Sequence, residues 1–203
     1  MSNSIVERVD QRDIQRRGGD YAKYPSSYVV CSLLKKYGIT RILDVTYGEG
    51  RFYKLCHDSL RIIGSDPVRR DWVVKPDSFI QANVFYLYKL VSAKQFTVTD
   101  LDAVVVDPPK WTRNARYKVH DMLNYLIGTP ELIIEYALKI AQLIHTPYML
   151  VHYKRVLQLN GYKPVHVVEY RWYHRYLRVS DNNHSLFVLY SIRQRGTMYG
   201  HRG

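Results

Sequence analysis

The sequence predicts an α/β fold, in which a mostly parallel sheet carries packed helices and ends in an antiparallel C-terminal hairpin. Apolar runs alternate with longer amphipathic stretches along most of the 203 residues, which is typical of parallel strands joined by crossover helices. After Gly161 the pattern changes to two β-rich runs, separated by short polar residues at 180–183 that favour a turn.

Five strands are predicted before the hairpin, because each of five apolar runs is followed by a polar loop or by a segment with helical spacing. They cover residues 41–45, 61–65, 78–81, 101–106 and 148–152. The hairpin strands cover residues 165–177 and 185–193, which brings the predicted sheet to seven strands.

The two clearest helices cover residues 27–37 and 130–144. Pro25 and Ser26 stand at the start of the first helix and Gly38 ends it, while Pro130 suits the first turn of the second. Their apolar positions fall on one face of each helix, so both are expected to pack on the sheet.

The composition indicates a globular protein with one folded domain. Apolar residues make up 46% and charged residues 24%, and no uncharged apolar run approaches the roughly 18 to 20 residues of a membrane-spanning helix. The N-terminus lacks the apolar segment of a secretory signal. Cys31 and Cys56 are too few for a disulfide framework and are expected to be inert core residues, which favours a cytoplasmic location.

The chain is strongly basic, with 30 Lys and Arg against 18 Asp and Glu and a net charge of +12. A polyanionic partner such as nucleic acid is the natural inference, and a generally basic surface that aids solubility is the alternative. Arg8, Arg12 and Arg16 recur every four positions, which predicts a helical stripe in a basic N-terminal segment, residues 1–20. Arg171 and Arg175 alternate with aromatic rings that can stack on unpaired bases. Residues 194–203 are expected to form a mobile basic tail.

Carboxylates stand where three of the predicted strands end: Asp44, Asp66 and Asp107. The carboxyl ends of parallel strands meet at one edge of a sheet, where such folds hold their ligands. Gly48 and Gly50 allow a tight turn after Asp44, but the third glycine of a dinucleotide fingerprint is missing. A carboxylate at this position suits an ammonium or sulfonium ligand better than a pyrophosphate.

These motifs resemble the class I S-adenosylmethionine-dependent methyltransferases, in particular those that methylate nucleic-acid bases through an Asp-Pro-Pro-aromatic loop. The resemblance covers residues 21–193 and implies a Rossmann-like sheet with helices on both faces. It implies that S-adenosyl-L-methionine is the cofactor, that Asp66 binds the ribose hydroxyls and that Asn83 contacts the adenine. Tyr24 resembles a residue that some relatives lay across the cofactor, and the methionine part would be held by Asp44, Thr46, Gly48 and Gly50.

The acceptor loop is the segment Asp107-Pro108-Pro109-Lys110-Trp111. In the enzymes that it resembles, the Asp carboxylate and a proline-position carbonyl accept hydrogen bonds from an exocyclic amine, and the following aromatic residue stacks on the base. Here Lys110 occupies that aromatic position. Either Trp111 stacks while Lys110 contacts a phosphate, or the loop serves carbon 5 of cytosine. The second route needs a cysteine after the fifth strand, and residues 148–155 contain none.

The function that we predict is therefore methyl transfer to an exocyclic base amine, in RNA (tRNA or rRNA) rather than DNA. The alternatives are a DNA amino-methyltransferase, a methyltransferase of a protein or small molecule, and a non-catalytic nucleic-acid-binding module of the same fold. The eight histidines show no metal-ligand spacing, so no metal is expected. His152 and Tyr153, just past the fifth predicted strand, could line the acceptor pocket or be satisfied loop residues.

Overall fold

A computed structural model of the chain describes residues 4–96, 98–108, 129–159, 161–173 and 184–192. Several predicted features lie outside these ranges: the basic tail, the tip of the hairpin, and the side chains of Pro109, Lys110, Trp111 and Arg175. The described helices include none that is long and apolar enough to cross a membrane.

The predicted fold class is confirmed: an eight-stranded mixed sheet contains five neighbouring parallel strands, which run from the middle of the sheet to one edge. The sheet has the order β1-β7-β8-β6-β5-β2-β3-β4. The parallel strands are β2 (Arg41–Asp44), β3 (Arg61–Asp66), β4 (Ser78–Gln81), β5 (Ala103–Val106) and β6 (Tyr148–Tyr153).

The hairpin lies where the sequence places it. Its strands are β7 (Pro164–Arg171) and β8 (His184–Ser191), which pair antiparallel to each other, and β8 also pairs antiparallel to β6. The eighth strand, β1 (Ile5–Asp10), was not predicted and extends the sheet by pairing parallel to β7.

The predicted N-terminal helical stripe is wrong. Arg8 lies on β1, whereas Arg12 lies on the short helix α1 (Gln11–Gln15) that follows it. Apolar Ile5, Val6 and Val9 carry little helical signal, and the free edge of β7 offers backbone hydrogen bonds that favour a strand. Residues Ile5–Asp10 are therefore part of the sheet.

Helices cover both faces of the sheet. Helix α1 is followed by α2 (Gly19–Lys23) and α3 (Pro25–Lys36), while α4 (Val84–Ser92) and α5 (Pro130–Leu143) come later in the chain. Alternate residues of one strand belong to different cores: Ile42 packs with the α3 side and Leu43 with the side of α4 and α5. Burial on both faces explains why these strands read as continuous apolar runs.

The two cysteines form a disulfide, so their interpretation as inert core residues is wrong. Cys31 on α3 is bonded to Cys56, which follows the short 3₁₀ helix Arg51–Tyr53. Their separation of 25 residues gave no pairing signal, because proximity here depends on how α3 packs on that 3₁₀ helix. Disulfides are uncommon in reducing compartments, so the cysteines no longer support the predicted cytoplasmic location.

Candidate active site

The three predicted carboxylates lie at the carboxyl edge of the parallel strands. Asp44 is the last residue of β2, Asp66 is the last residue of β3, and Asp107 directly follows β5. Strand order reverses between β2 and β5, so the loops after these strands diverge and leave a crevice. This is the position at which open α/β sheets hold their ligands.

A cleft of about 320 Å³ occupies this crevice, and we call it the Asp44 cleft. Asp44 and Asp107 line it together, as the sequence predicted for these two strand ends. The remaining described lining residues are Ser26, Thr46, Tyr47, Gly48, Glu49, Arg51, Phe52 and Arg70.

Thr46 connects the loops after β2 and β5. Its hydroxyl donates to Asp44 Oδ1 at 3.3 Å and accepts from the Asp107 backbone N–H at 2.6 Å. The Thr46 backbone N–H also donates to Asp44 Oδ1 at 2.9 Å. Thr46 thus fixes the distance between the two carboxylate-bearing loops, a structural role beside the cofactor contact predicted for it.

Asp44 is a buried carboxylate whose charge the protein only partly compensates. Burial raises the pKa of Asp44 from 3.8 to about 7, against hydrogen bonds that lower it, and the nearby charge of Asp107 adds to the rise. The Tyr53 hydroxyl donates to Asp44 Oδ2 at 2.6 Å. A cation in the cleft would favour the ionised carboxylate.

Asp66 lies beneath the glycine turn rather than in the cleft wall. Its Oδ2 accepts from the Gly48 N–H at 3.1 Å and its Oδ1 accepts from the Val68 N–H at 3.0 Å, and the residue is fully buried. Asp66 therefore holds the turn after β2 against β3. A ribose contact requires the residues above it to move aside, so that role stays a prediction.

The two glycines of the turn do different work. Gly48 has a φ of 57°, which favours glycine, and a Cβ there would make only an ordinary contact with the Thr46 carbonyl oxygen, at 3.9 Å. At Gly50 a Cβ would come within 2.5 Å of the Tyr47 hydroxyl and 2.6 Å of the Val74 carbonyl oxygen. The missing side chain of Gly50 therefore makes room for protein atoms, which the sequence alone could not show.

Asn83 and Tyr24 lie outside the Asp44 cleft. The Asn83 side chain accepts from the Tyr86 N–H and caps α4, and it lines a small adjoining hollow with Thr46. Tyr24 joins α2 to α3, two residues before Ser26, and is not among the described lining residues. Their cofactor contacts remain predictions.

His152 connects Asp107 to the hairpin. Its Nδ1 lies 2.8 Å from Asp107 Oδ1 and its Nε2 lies 2.8 Å from the Ser185 hydroxyl on β8. The histidine is 9% exposed and stacks on Phe187, with ring centroids 4.1 Å apart. Phe52, which lines the cleft, packs its ring edgewise against the His152 ring.

A second cleft, of about 610 Å³, lies past the ends of β1, β6 and β7, and we call it the Arg171 cleft. Arg171 lines it, as does Lys154 directly after β6. Two other cations are paired: Arg8 with Glu169 at 2.7 Å and Arg155 with Glu131 at 3.1 Å. The other described lining residues are Val9, Asp10, Asp13, Val156, His184 and Leu186.

Eight described residues in or beside the Asp44 cleft were not predicted as site residues: the lining residues Ser26, Tyr47, Glu49, Arg51, Phe52 and Arg70, and the hydrogen-bond partners Tyr53 and Ser185. The proximity of Ser185 to His152 becomes apparent only when β8 is paired with β6. Among the described residues, no cluster of three His, Cys, Asp or Glu side chains could hold a metal ion.

No family model matches this chain, and no curated protein matches it. Solved structures do. The N-methyltransferase NodS from Bradyrhizobium japonicum WM9 has a TM-score of 0.51 at 13% identity, over 83% of this chain and 95% of that one. Its complex with S-adenosyl-l-homocysteine gives 0.50 at 13% identity, over 81% and 84%.

The chain has the class I methyltransferase fold. A S-adenosylmethionine-dependent methyltransferase from Agrobacterium tumefaciens is also similar, with a TM-score of 0.48 at 13% identity, over 84% of this chain and 63% of that one. This is the fold that the predicted enzyme class and cofactor imply. At this identity the methyltransferase fold is shared, and the choice of acceptor must come from the residues of this chain.

Proposed function

We propose that the protein is a S-adenosylmethionine-dependent methyltransferase that modifies an exocyclic amine of a nucleic-acid base, in RNA rather than DNA. The observation that carries this proposal is the Asp44 cleft, where a buried acid and the Asp107 carboxylate of the Asp-Pro-Pro motif line one space. A donor and an acceptor held in that space would meet beside Asp107.

The residues of the cleft fit the proposed cofactor. When bound, S-adenosylmethionine supplies an electrophilic methyl group on a sulfonium sulfur, and it also carries an ammonium group. Burial raises the pKa of Asp44 to about 7. A cationic ligand beside this carboxyl group would favour its ionised form. Gly48 lines the same cleft and carries no side chain that would occupy it. Asp44, Thr46 and Gly48 are therefore the residues that would hold the methionine part.

Asp107 would act on the acceptor. Its side chain is 35% exposed and lies in the cleft lining, and among the described residues no donor contacts its Oδ2. That oxygen can accept a hydrogen bond from an amine N–H, which keeps the nitrogen lone pair available for attack. The same carboxylate can take up the proton that the amine releases.

The cysteines argue against carbon 5 of cytosine as the target. That chemistry needs a thiol nucleophile, and the two cysteines of this sequence, Cys31 and Cys56, are bonded to each other. Amine methylation needs no thiol, so the disulfide supports it as the reaction.

Charge supports a nucleic-acid acceptor. The net charge is +12, and the Arg171 cleft is lined by Arg171, the last residue of β7, and by Lys154, directly after β6, at the sheet edge that carries Asp107. Cations along such a path bind phosphates. RNA is favoured because duplex DNA would also require the target base to be flipped out of the stack.

The proposal is tested by calorimetric titration with S-adenosylmethionine, followed by transfer of labelled methyl groups to bulk RNA, DNA and protein. We expect binding, and label in base amines of RNA. Binding without a labelled product would favour the non-catalytic module. Label in DNA, protein or small molecules would keep the methyltransferase and replace its acceptor.

Asp107→Asn separates catalysis from cofactor binding. The substitution removes the carboxylate charge and its capacity to take a proton, so we expect transfer to fall by about 100-fold or more. The dissociation constant for S-adenosylmethionine should stay within about threefold of wild type. Glu135→Gln on α5, which removes the same charge outside the cleft, is the matched control and should leave transfer unchanged. Retained transfer by Asp107→Asn would contradict the role of Asp107.

Trp111→Ala tests the stacking role predicted from sequence. If Trp111 holds the target base, turnover should fall by about 10-fold or more, because stacking on an aromatic ring contributes about 1 to 3 kcal/mol per base. Cofactor affinity should not change. Equal losses of turnover and cofactor affinity, or no loss of either, would count against this role.

A further inference from the structure

We propose that His152 is a positioning residue for Asp107: it holds one carboxylate oxygen and so directs the other toward the acceptor. The proposal rests on the function proposed above. From the sequence, His152 could either line the acceptor pocket or be a satisfied loop residue. The proposal gives this buried histidine a defined role.

The first argument is the contact between His152 and Asp107. Nδ1 and Oδ1 lie 2.8 Å apart, and a ring nitrogen and a carboxylate oxygen at this distance need a proton between them. Because an ionised carboxylate can only accept a hydrogen bond, we assign the hydrogen to Nδ1 of the ring, which donates it to Oδ1. Asp107 Oδ2 then remains for the acceptor.

The second argument is the other side of the ring. The Ser185 hydroxyl lies 2.8 Å from Nε2, and Ser185 is 1% exposed. A hydroxyl rotates and can either donate or accept, so this contact is satisfied whether Nε2 is a bare acceptor or carries a hydrogen. Ser185 therefore fixes the ring without dictating its charge. Its burial also excludes it as a nucleophile for an external substrate.

The third argument is the packing of the ring. His152 stacks on Phe187 with an interplanar angle of 9°, and the Phe52 ring meets it at 76°. Two aromatic side chains and two hydrogen bonds leave the imidazole a single orientation. The cleft-lining Phe52 connects this packing to the space where the substrate would lie.

A fixed carboxylate matters because the acceptor nitrogen must be aligned with the methyl group. A displacement of about 1 Å at a reacting group can cost about 100-fold in rate. Thr46 already holds the Asp107 backbone N–H at 2.6 Å, so His152 supplies the second restraint, on the side chain.

The first test needs no activity. Nitrogen-15 spectra of the histidine side chains, assigned to His152 by comparison with His152→Phe, report which ring nitrogen carries hydrogen. We expect a protonated Nδ1 in the wild-type protein and a changed Nδ1 signal in Asp107→Asn. An unprotonated Nδ1 would overturn the proposal even if the enzyme is active.

The second test uses two substitutions, each of which keeps a nitrogen near the position of one ring nitrogen of His152. His152→Asn retains a donor near Nδ1, and His152→Gln retains one near Nε2. In the transfer of labelled methyl groups to RNA, we expect His152→Asn to keep kcat within about 10-fold of wild type. His152→Gln and His152→Phe should lose about 100-fold, because Asp107 loses its restraint. KM for S-adenosylmethionine should change little.

Two controls separate positioning from folding. His145→Asn makes the same change at an exposed position after α5, before β6 begins, and should leave kcat unchanged. Thermal unfolding identifies any variant that fails to fold, and Ser185→Ala, expected to lose less than His152→Phe, gives a second measure. Full kcat in folded His152→Phe would overturn the positioning role. Absence of transfer by the wild-type protein would instead overturn the proposed function.

Discussion

Asp44 is the residue of the proposed cofactor site whose protonation is most sensitive to its surroundings. Its pKa in the folded protein, raised by burial to about 7, exceeds its ordinary value of 3.8. The folded state therefore binds more protons than the unfolded state between about pH 4 and pH 7, and the free energy of unfolding falls as the pH rises through this window. A bound cation offsets that cost by favouring the ionised carboxylate.

Cofactor affinity should consequently depend on pH. Below about pH 7 the cation must displace the Asp44 proton, so the dissociation constant for S-adenosylmethionine should rise by up to about tenfold per pH unit as the pH falls. Above about pH 7.5 it should level off. Calorimetric titration from pH 5.5 to 8.5 measures this dependence.

Asp44→Asn should remove the pH dependence and bind more weakly above about pH 7. Asp102→Asn is the matched control, because Asp102 lies just before β5 begins, at the opposite end of that strand from Asp107, where its Oδ2 accepts from the Thr40 and Arg41 N–H groups. An unchanged pH dependence in Asp44→Asn would show that another group titrates.

At the residue scale, the sequence predicted which residues stand at the strand ends better than it predicted which side chains they contact. Asp44, Asp66 and Asp107 were found because a carboxylate that ends a buried strand is visible in the sequence pattern. The pairing of His152 with Ser185 was not, because it depends on the antiparallel register between β6 and β8. A register set by long-range pairing leaves no local signal.

At the scale of elements, the disulfide joins helix α3 to Cys56, three residues after the 3₁₀ helix that supplies Arg51 and Phe52 to the Asp44 cleft. The bond closes a loop that contains β2 and the glycine turn. Such a link stabilises the fold mainly by restricting the unfolded chain.

The Cys31→Ser/Cys56→Ser variant should therefore lose about 3 kcal/mol of unfolding free energy, as expected for a separation of 25 residues. Urea unfolding with and without dithiothreitol measures this. The reductant should destabilise the wild-type protein by a similar amount and leave the double variant unchanged. If dithiothreitol left the urea unfolding transition of the wild-type protein unchanged, that result would contradict the stabilising role of the bond.

The elements themselves were predicted to within a few residues wherever burial or a proline marked them, as for β5 (Ala103–Val106) and α5 (Pro130–Leu143). Strand β1 was missed because Ile5–Asp10 is largely exposed and owes its conformation to pairing with β7. An exposed edge strand lacks the apolar alternation by which a strand is recognised.

For the molecule as a whole, the excess of cations predicts salt-dependent binding to RNA. Binding to single strands weakens with a slope of about −0.7 in log–log form for each phosphate contact made. Lys154 and Arg171 line the Arg171 cleft and are the cations expected to make such contacts.

Lys154→Gln/Arg171→Gln should therefore reduce the steepness of that slope by about 1.4, measured by fluorescence titration of RNA at several salt concentrations. Lys35→Gln/Lys139→Gln removes the same charge from α3 and α5, outside the cleft, and is the control. Equal changes in both variants would indicate a general charge effect instead of a defined path.

The central claim is that the Asp44 cleft binds the methyl donor beside Asp107. A crystal structure of the protein grown with S-adenosylhomocysteine tests it most directly. We predict ligand density bounded by Asp44, Thr46 and Gly48, with Asp107 facing the sulfur side of the ligand. Density at another place on the protein, or a cleft that stays filled by protein side chains at saturating ligand, would contradict the account.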